Sequence, residues 1–216
     1  MAKHKYMTPV IIVSVIIVAA LIWTLGGWLV VRNIEKPAYT LVEKREGYEI
    51  RDYAPYMVAE VEVTGSRQQG LNAGFRILAD YIFGNNTKKT GIAMTAPVSE
   101  SASAPIAMTA PVMEQGTDDG KRKVTFSMPS KYTMDSIPKP NNPLVTLREV
   151  PAQRVAVKVF GWYTSDNRIN ILQSQLLANL NWDGITVLEM PSYAGYNPPF
   201  SAPWMRRNEV MVVIEK

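Results

Sequence analysis

The sequence predicts an α+β domain in which one antiparallel sheet curls on itself against two helices, preceded by a single transmembrane helix. Three observations carry this expectation. Val10 to Val31 is a run of 22 residues without a charge, long enough to cross a hydrocarbon core of about 30 Å as a helix. After Pro37 the run gives way to short alternating segments of the kind that form half-buried strands. The order strand, strand, helix, strand, strand then occurs twice, which implies a duplicated unit with pseudo-twofold symmetry.

Residues 1–36 read as a membrane anchor, with the span at about 10–31. Trp23 and Trp28 lie in its second half, where interfacial aromatics belong. A cleaved signal peptide would have an apolar core of about 7–15 residues, whereas this run continues well past the small residues Ala19-Ala20. Lys3 and Lys5 precede the span, and Arg32 and Lys36 follow it with Glu35 between them. The positive-inside bias then places the domain outside the cytoplasm, in a bacterium the periplasm.

Residues 37–216 form the domain. Tyr39–Arg45 and Tyr48–Tyr53 read as strands around Gly47, and Tyr56–Thr64 alternates, with Met57, Ala59, Val61 and Val63 on one face. Ser66 opens a helix, with Gln69 at the spacing of a capping box. Leu71, Phe75, Leu78 and Ile82 make its apolar stripe, and Gly84 stops it. In the second half Leu144–Val150 and Arg154–Thr164 read as strands. Ser165-Asp166 then caps a helix carrying Ile169, Leu172, Leu176 and Leu180, closed by Asp183-Gly184. Strand-like segments follow each helix: Lys89–Val98 and Lys121–Met128, then Ile185–Met190 and Glu209–Glu215.

Composition excludes several functions. The chain has no cysteine and one histidine, His4, ahead of the apolar run. Disulfides, thiolate metal sites, zinc sites and histidine-based triads are therefore unavailable to the domain. No Gly-rich phosphate loop occurs. The net charge of +4 is concentrated in the anchor, and residues 37–216 hold 19 basic against 18 acidic groups. A nucleic-acid partner would need a concentrated basic face, so none is expected. A carboxylate-plus-tyrosine site inside the curled sheet, Glu60 or Glu189 near Tyr193, is the enzymatic arrangement left open. The segment from Asn197 to Trp204, with its prolines, Phe200 and Trp204, is either a lid on the barrel or an exposed patch for an envelope partner.

One heptapeptide occurs twice: Ile92 to Val98 recurs identically as Ile106 to Val112. The copies are expected either as two strands of a hairpin or as a duplication with one copy looped out. The motif Lys89-Thr90-Gly91-Ile92-Ala93-Met94-Thr95-Ala96-Pro97-Val98 resembles the signature of the SOUL haem-binding family. Tyr48-Glu49-Ile50-Arg51, Tyr53-Ala54-Pro55, Val58-Ala59-Glu60-Val61 and the stretch from Tyr193 to Val210 are similar to that family in the same order. The resemblance implies a distorted antiparallel β-barrel flanked by two helices, of the gyrase-inhibitor type, and tetrapyrrole binding without a catalytic reaction; through the related effector-binding barrels it also implies, as the alternative, a binder or hydrolase of drug-like hydrophobic compounds.

The family's groove runs beside the first domain helix. The resemblance thus points to Leu71, Phe75 and Leu78 as its wall and to Arg67 and Arg76 as partners for haem propionates. With no histidine in the domain, an axial ligand would be a methionine such as Met94 or Met108, or a tyrosine, or there is none. A haem or other apolar small molecule held by burial is the expected ligand. Apolar contact at roughly 25 cal/mol per Å² over a few hundred Å² gives micromolar affinity after ordering costs.

Overall fold

A computed structural model describes residues 4–88, 103–117, 119–198 and 200–216. The first helix, α1 (His4–Val31), contains the expected apolar run. Its Ile11–Val31 portion has a mean hydropathy of 2.3, long and apolar enough to cross a membrane.

The domain strands are β1 (Tyr39–Arg45), β2 (Tyr48–Tyr53), β3 (Tyr56–Val63), β4 (Asn86–Thr87), β5 (Val112–Gly116), β6 (Arg122–Ser127), β7 (Lys139–Pro140), β8 (Thr146–Val150), β9 (Gln153–Phe160), β10 (Ser192–Gly195) and β11 (Asn208–Ile214). Between them lie α2 (Arg67–Phe83) and α3 (Asp166–Trp182). Nine strands form one antiparallel sheet, curled into a half-barrel, in the order β1-β2-β9-β11-β10-β5-β6-β3-β8. β4 and β7 pair separately.

The duplication is visible in that order. Apart from β1, the sheet reads the same outward from its centre, the β10–β5 pair. β3 is followed by α2, β5 and β6, and β9 by α3, β10 and β11. Each half borrows its outer strand from the other. β2 precedes β3 in the chain but pairs with β9, while β8 precedes β9 but pairs with β3.

Strand alternation sorts the residues onto two faces. On the helix face, Met57, Ala59, Val61, Val124 and Phe126 pack under Leu78, Tyr81 and Ile82 of α2. In the other half Ile50, Ala156, Val210 and Val212 pack under Ile169, Leu176 and Leu180 of α3. The concave face carries a third cluster, Tyr53, Val155, Val157, Ala194 and Met211, joined by Ile34 and Ala110.

Both helices begin as expected. The Ser66 hydroxyl accepts from the Gln69 N–H, while the Gln69 side chain accepts from the Ser66 N–H. Ser165 caps α3 by accepting from the Arg168 N–H. Gly84 ends α2 at φ 132°, a backbone conformation that side chains with a Cβ rarely adopt.

Three expectations change. Ile185–Met190 is not a strand; Val187 makes a single bridge to Ile214, and the paired strand begins after Pro191 as β10. β5 was not anticipated, because Val-Met-Glu-Gln-Gly alternates weakly and follows Pro111. Residues Ile106 to Pro111 of the second heptapeptide are irregular, not a strand. They cross from the helix-side core at Ile106 to the concave core at Ala110. Between α1 and β1, Ile34 and Glu35 pack on the domain: the Glu35 carbonyl accepts from the Ala110 N–H and its carboxylate from the Ser130 N–H. The first heptapeptide copy, the expected strand Lys89–Val98 and Met94 lie outside the described residues.

Candidate functional site

Capping at Ser66 and Ser165 brings the starts of α2 and α3 together across a cleft of about 440 Å³. Arg67, Gln68 and Leu71 of α2 form one wall, and the Thr164–Asn167 turn with Ile169 the other; Tyr193 lies at the floor. Both helix N-termini present partial positive charge to this space, which favours anionic groups. Arg67 crosses the cleft, with Nη1 donating to the Asn170 side-chain oxygen at 3.1 Å. Its Nε donates at 2.9 Å to Glu114, which is fully buried and also accepts from Arg122 at 2.6 Å.

The site residues expected from the sequence separate into three environments. Arg67 and Leu71 line the cleft. Phe75 lies one turn beyond Leu71 on the same helix face, 38% exposed, with its ring edge-on to Phe126 at 5.3 Å. Arg76 is exposed and makes no ion pair among the described residues. Leu78 is fully buried in the core beneath α2, so it supports the groove without facing it.

A larger cavity, about 810 Å³, occupies the concave face. Val58, Met113, Val150, Val155 and Met211 make its apolar floor, while Lys123, Arg148, Gln115 and Gln153 add polar groups. The segment from Val187 to Pro191 closes one side. Sequence reasoning did not find it, although the inward positions of β3, β6 and β9 were the available signal. Glu60, in the same region, is bound by Arg148 at 3.1 Å. Glu189 lines the concave cavity, whereas Tyr193 belongs to the helix-side core and donates to Asn208 at 2.9 Å. The structure therefore does not assemble the expected Glu189–Tyr193 pair. Burial raises the Tyr193 pKa, keeping the phenol neutral.

The buried carboxylates are already engaged. Glu209 accepts from Arg51 at 3.0 Å, from Arg207 at 2.6 Å and from the Tyr196 hydroxyl at 2.6 Å. Arg51 is itself buried and donates to Glu49 at 2.5 Å. Burial pushes Tyr53, beside this network, up to about 12, and burial with the Glu209 charge raises Tyr196 further. Neither Glu114 nor Glu209 is a free anion awaiting a cationic ligand.

The family model described as SOUL heme-binding protein matches residues 34–213. Heme-binding protein 1 of Mus musculus is 31% identical over 168 residues, 77% of this chain and 83% of its own length. Heme-binding protein 2 of Homo sapiens is 28% identical, covering 78% of each chain. Among solved structures, the EcmrR C-terminal domain superposes with a TM-score of 0.55 at 10% identity, covering 82% of this chain and 98% of that one. That likeness is one of fold.

Proposed function

The chain belongs to the SOUL heme-binding family, and from that premise we propose that it binds a tetrapyrrole non-covalently beside α2, as an anchored cell-envelope protein with no reaction of its own. The observation that carries the reading is the cleft in which Arg67 and Leu71 meet the start of α3. Leu71 and Phe75 offer a flat apolar face to the macrocycle, and Arg76 and the two helix N-termini offer positive charge to its propionates. The family relation supplies the ligand class, since the relatives bear the name heme-binding protein.

The residues fit a tetrapyrrole as an apolar, dianionic plate. They do not fit an iron complex with a strong protein ligand: the sole histidine is His4, and the cleft's Tyr193 hydroxyl is spent on Asn208. A bound haem would supply redox chemistry and gas binding; the protein's part is to hold the plate and shield one face from water.

A saturable Soret shift on haem titration of the chain begun at Arg32, which retains Ile34 and Glu35, tests the reading. We expect Phe75→Ala and Arg76→Ala each to weaken binding several-fold, and Leu188→Ala, at the concave cavity, to leave it unchanged. Weakening by Leu188→Ala alone would transfer the ligand to the concave cavity and favour a binder of drug-like compounds. Orientation follows from protease protection in sealed vesicles: an envelope domain is cut only from the extracytoplasmic side.

A further inference from the structure

The segment between β10 and β11 is bound to the apolar helix itself. The Trp23 indole N–H donates to the Phe200 carbonyl at 2.8 Å, and the Trp204 indole N–H to the Thr24 hydroxyl at 3.2 Å. The Trp23 and Trp204 rings meet edge-on at 5.6 Å. Gly27 is buried against Met205, whose sulfur lies 3.5 Å from where a Cβ would stand. Ala20, Thr24, Gly27 and Val31, the less exposed positions of the second half of α1, recur at helical spacing and form one stripe.

Around this contact the surface is aromatic and open. Phe200 is 61% exposed and Trp204 51%, alongside the exposed Trp23 and Trp28. Its rim is basic, with the Arg32 guanidinium 5.0 Å from the Trp28 ring centre. We propose that residues 200–205 form a second membrane-contacting element, inserted into the interfacial layer of the same bilayer that α1 spans, so that the domain lies against the membrane in one orientation. This rests on the reading of α1 as a span.

Depth arithmetic supports a bilayer as the occupant. At 1.5 Å per residue, Gly27 and Trp23 lie roughly 7 and 13 Å below Arg32 along the helix. With Arg32 among the headgroups, the contacts at Gly27 and Trp23 put the loop roughly 7–13 Å down, from the depth at which interfacial apolar faces sit, roughly 5–10 Å, to just beneath it. The loop also satisfies part of its own backbone. Pro198 and Pro203 lack an N–H, and the N–H groups of Ser201, Met205 and Arg206 donate to carbonyls within the loop. A protein partner would have no need for this agreement in depth with the helix beside it.

The absence of cysteine makes a single spin label unambiguous. The full chain, in vesicles of phosphatidylcholine and phosphatidylglycerol, is labelled at Phe200→Cys, at Ile16→Cys in mid-span, or at Trp182→Cys on α3. Oxygen accessibility relative to a water-soluble nickel chelate should be several-fold higher at position 200 than at 182. A lipid-like signal at 16 with a water-like signal at 200 overturns the inference and leaves the span intact. A water-like signal at 16 overturns the span reading itself. Free of any label, quenching of native fluorescence by lipids brominated near the headgroup should fall in Trp204→Phe; unchanged quenching counts against the insertion.

Discussion

In the first half of the sheet α2 reaches its strands through Gly70 and Gly74, whereas in the second α3 rests on Ile169, Leu176 and Leu180. A Cβ at position 74 would come within 2.6 Å of Val124, so the helix backbone lies directly on the strand. The buried charges differ as well. Glu114 faces the helices and ties the start of α2 to β6, while Glu209 lies on the opposite face and ties β2 to β11. One topology is thus secured twice by different chemistry. The half in which charge holds the helix start contributes Arg67 and Leu71 to the cleft between the two helices.

Seven substitutions probe this contrast. Glu209→Ala leaves the buried Arg51 with Glu49 as its remaining carboxylate partner and should lower stability by about 3–5 kcal/mol in denaturant titration. Glu114→Ala should cost less, about 1–3 kcal/mol, because Arg67 and Arg122 can turn toward water. Equal losses would erase the distinction.

The concave side also predicts an alkaline weakness. Tyr53 holds its proton in the fold up to about 12 and loses it near 10 when unfolded. The folded state then binds more protons, so stability falls as pH rises from about 10 to 12, by roughly 2–3 kcal/mol from this group. Tyr53→Phe should flatten the decline measured by urea midpoints at pH 9, 10 and 11.

Gly74→Ala should destabilise by about 1–2 kcal/mol, since an overpacking cost of roughly 1–3 kcal/mol outweighs a helix-propensity gain of about 1. At Gly70, where an added Cβ first meets the flexible Arg122 side chain at 3.0 Å, alanine should be close to neutral in the same thermal melt. The smallest contrast lies in the caps. Ser66→Ala breaks a reciprocal pair and should cost about 1 kcal/mol, and Ser165→Ala, which removes a single bond, somewhat less.

Elements set by local rules were legible in the sequence. β1 and β2 fall where alternation places them, and both helices start at the serine whose side chain can cap them. β10 was misplaced because Ser-Tyr-Ala-Gly has no pattern of its own; it is a strand through its neighbours β11 and β5. Arg67 and Leu71 did converge on a cleft, but the second wall comes from Thr164–Asn167, nearly a hundred residues away, and no periodicity connects the two. Leu78 obeys the same helical stripe as Leu71, yet it faces inward, because a stripe marks the buried side more often than a ligand wall.

The exchange of outer strands between the halves also bears on how the chain is made. β2 finds its partner in β9, about a hundred residues later, so at a synthesis rate of roughly 5–20 residues per second that edge waits some 5–20 s for closure. During that interval the β1–β2 hairpin stands beside the nascent apolar helix with one row of backbone donors and acceptors uncovered. A half produced alone would keep such an edge permanently and would complete itself by pairing with a copy, giving a two-fold assembly in which each subunit lends the other its first strand.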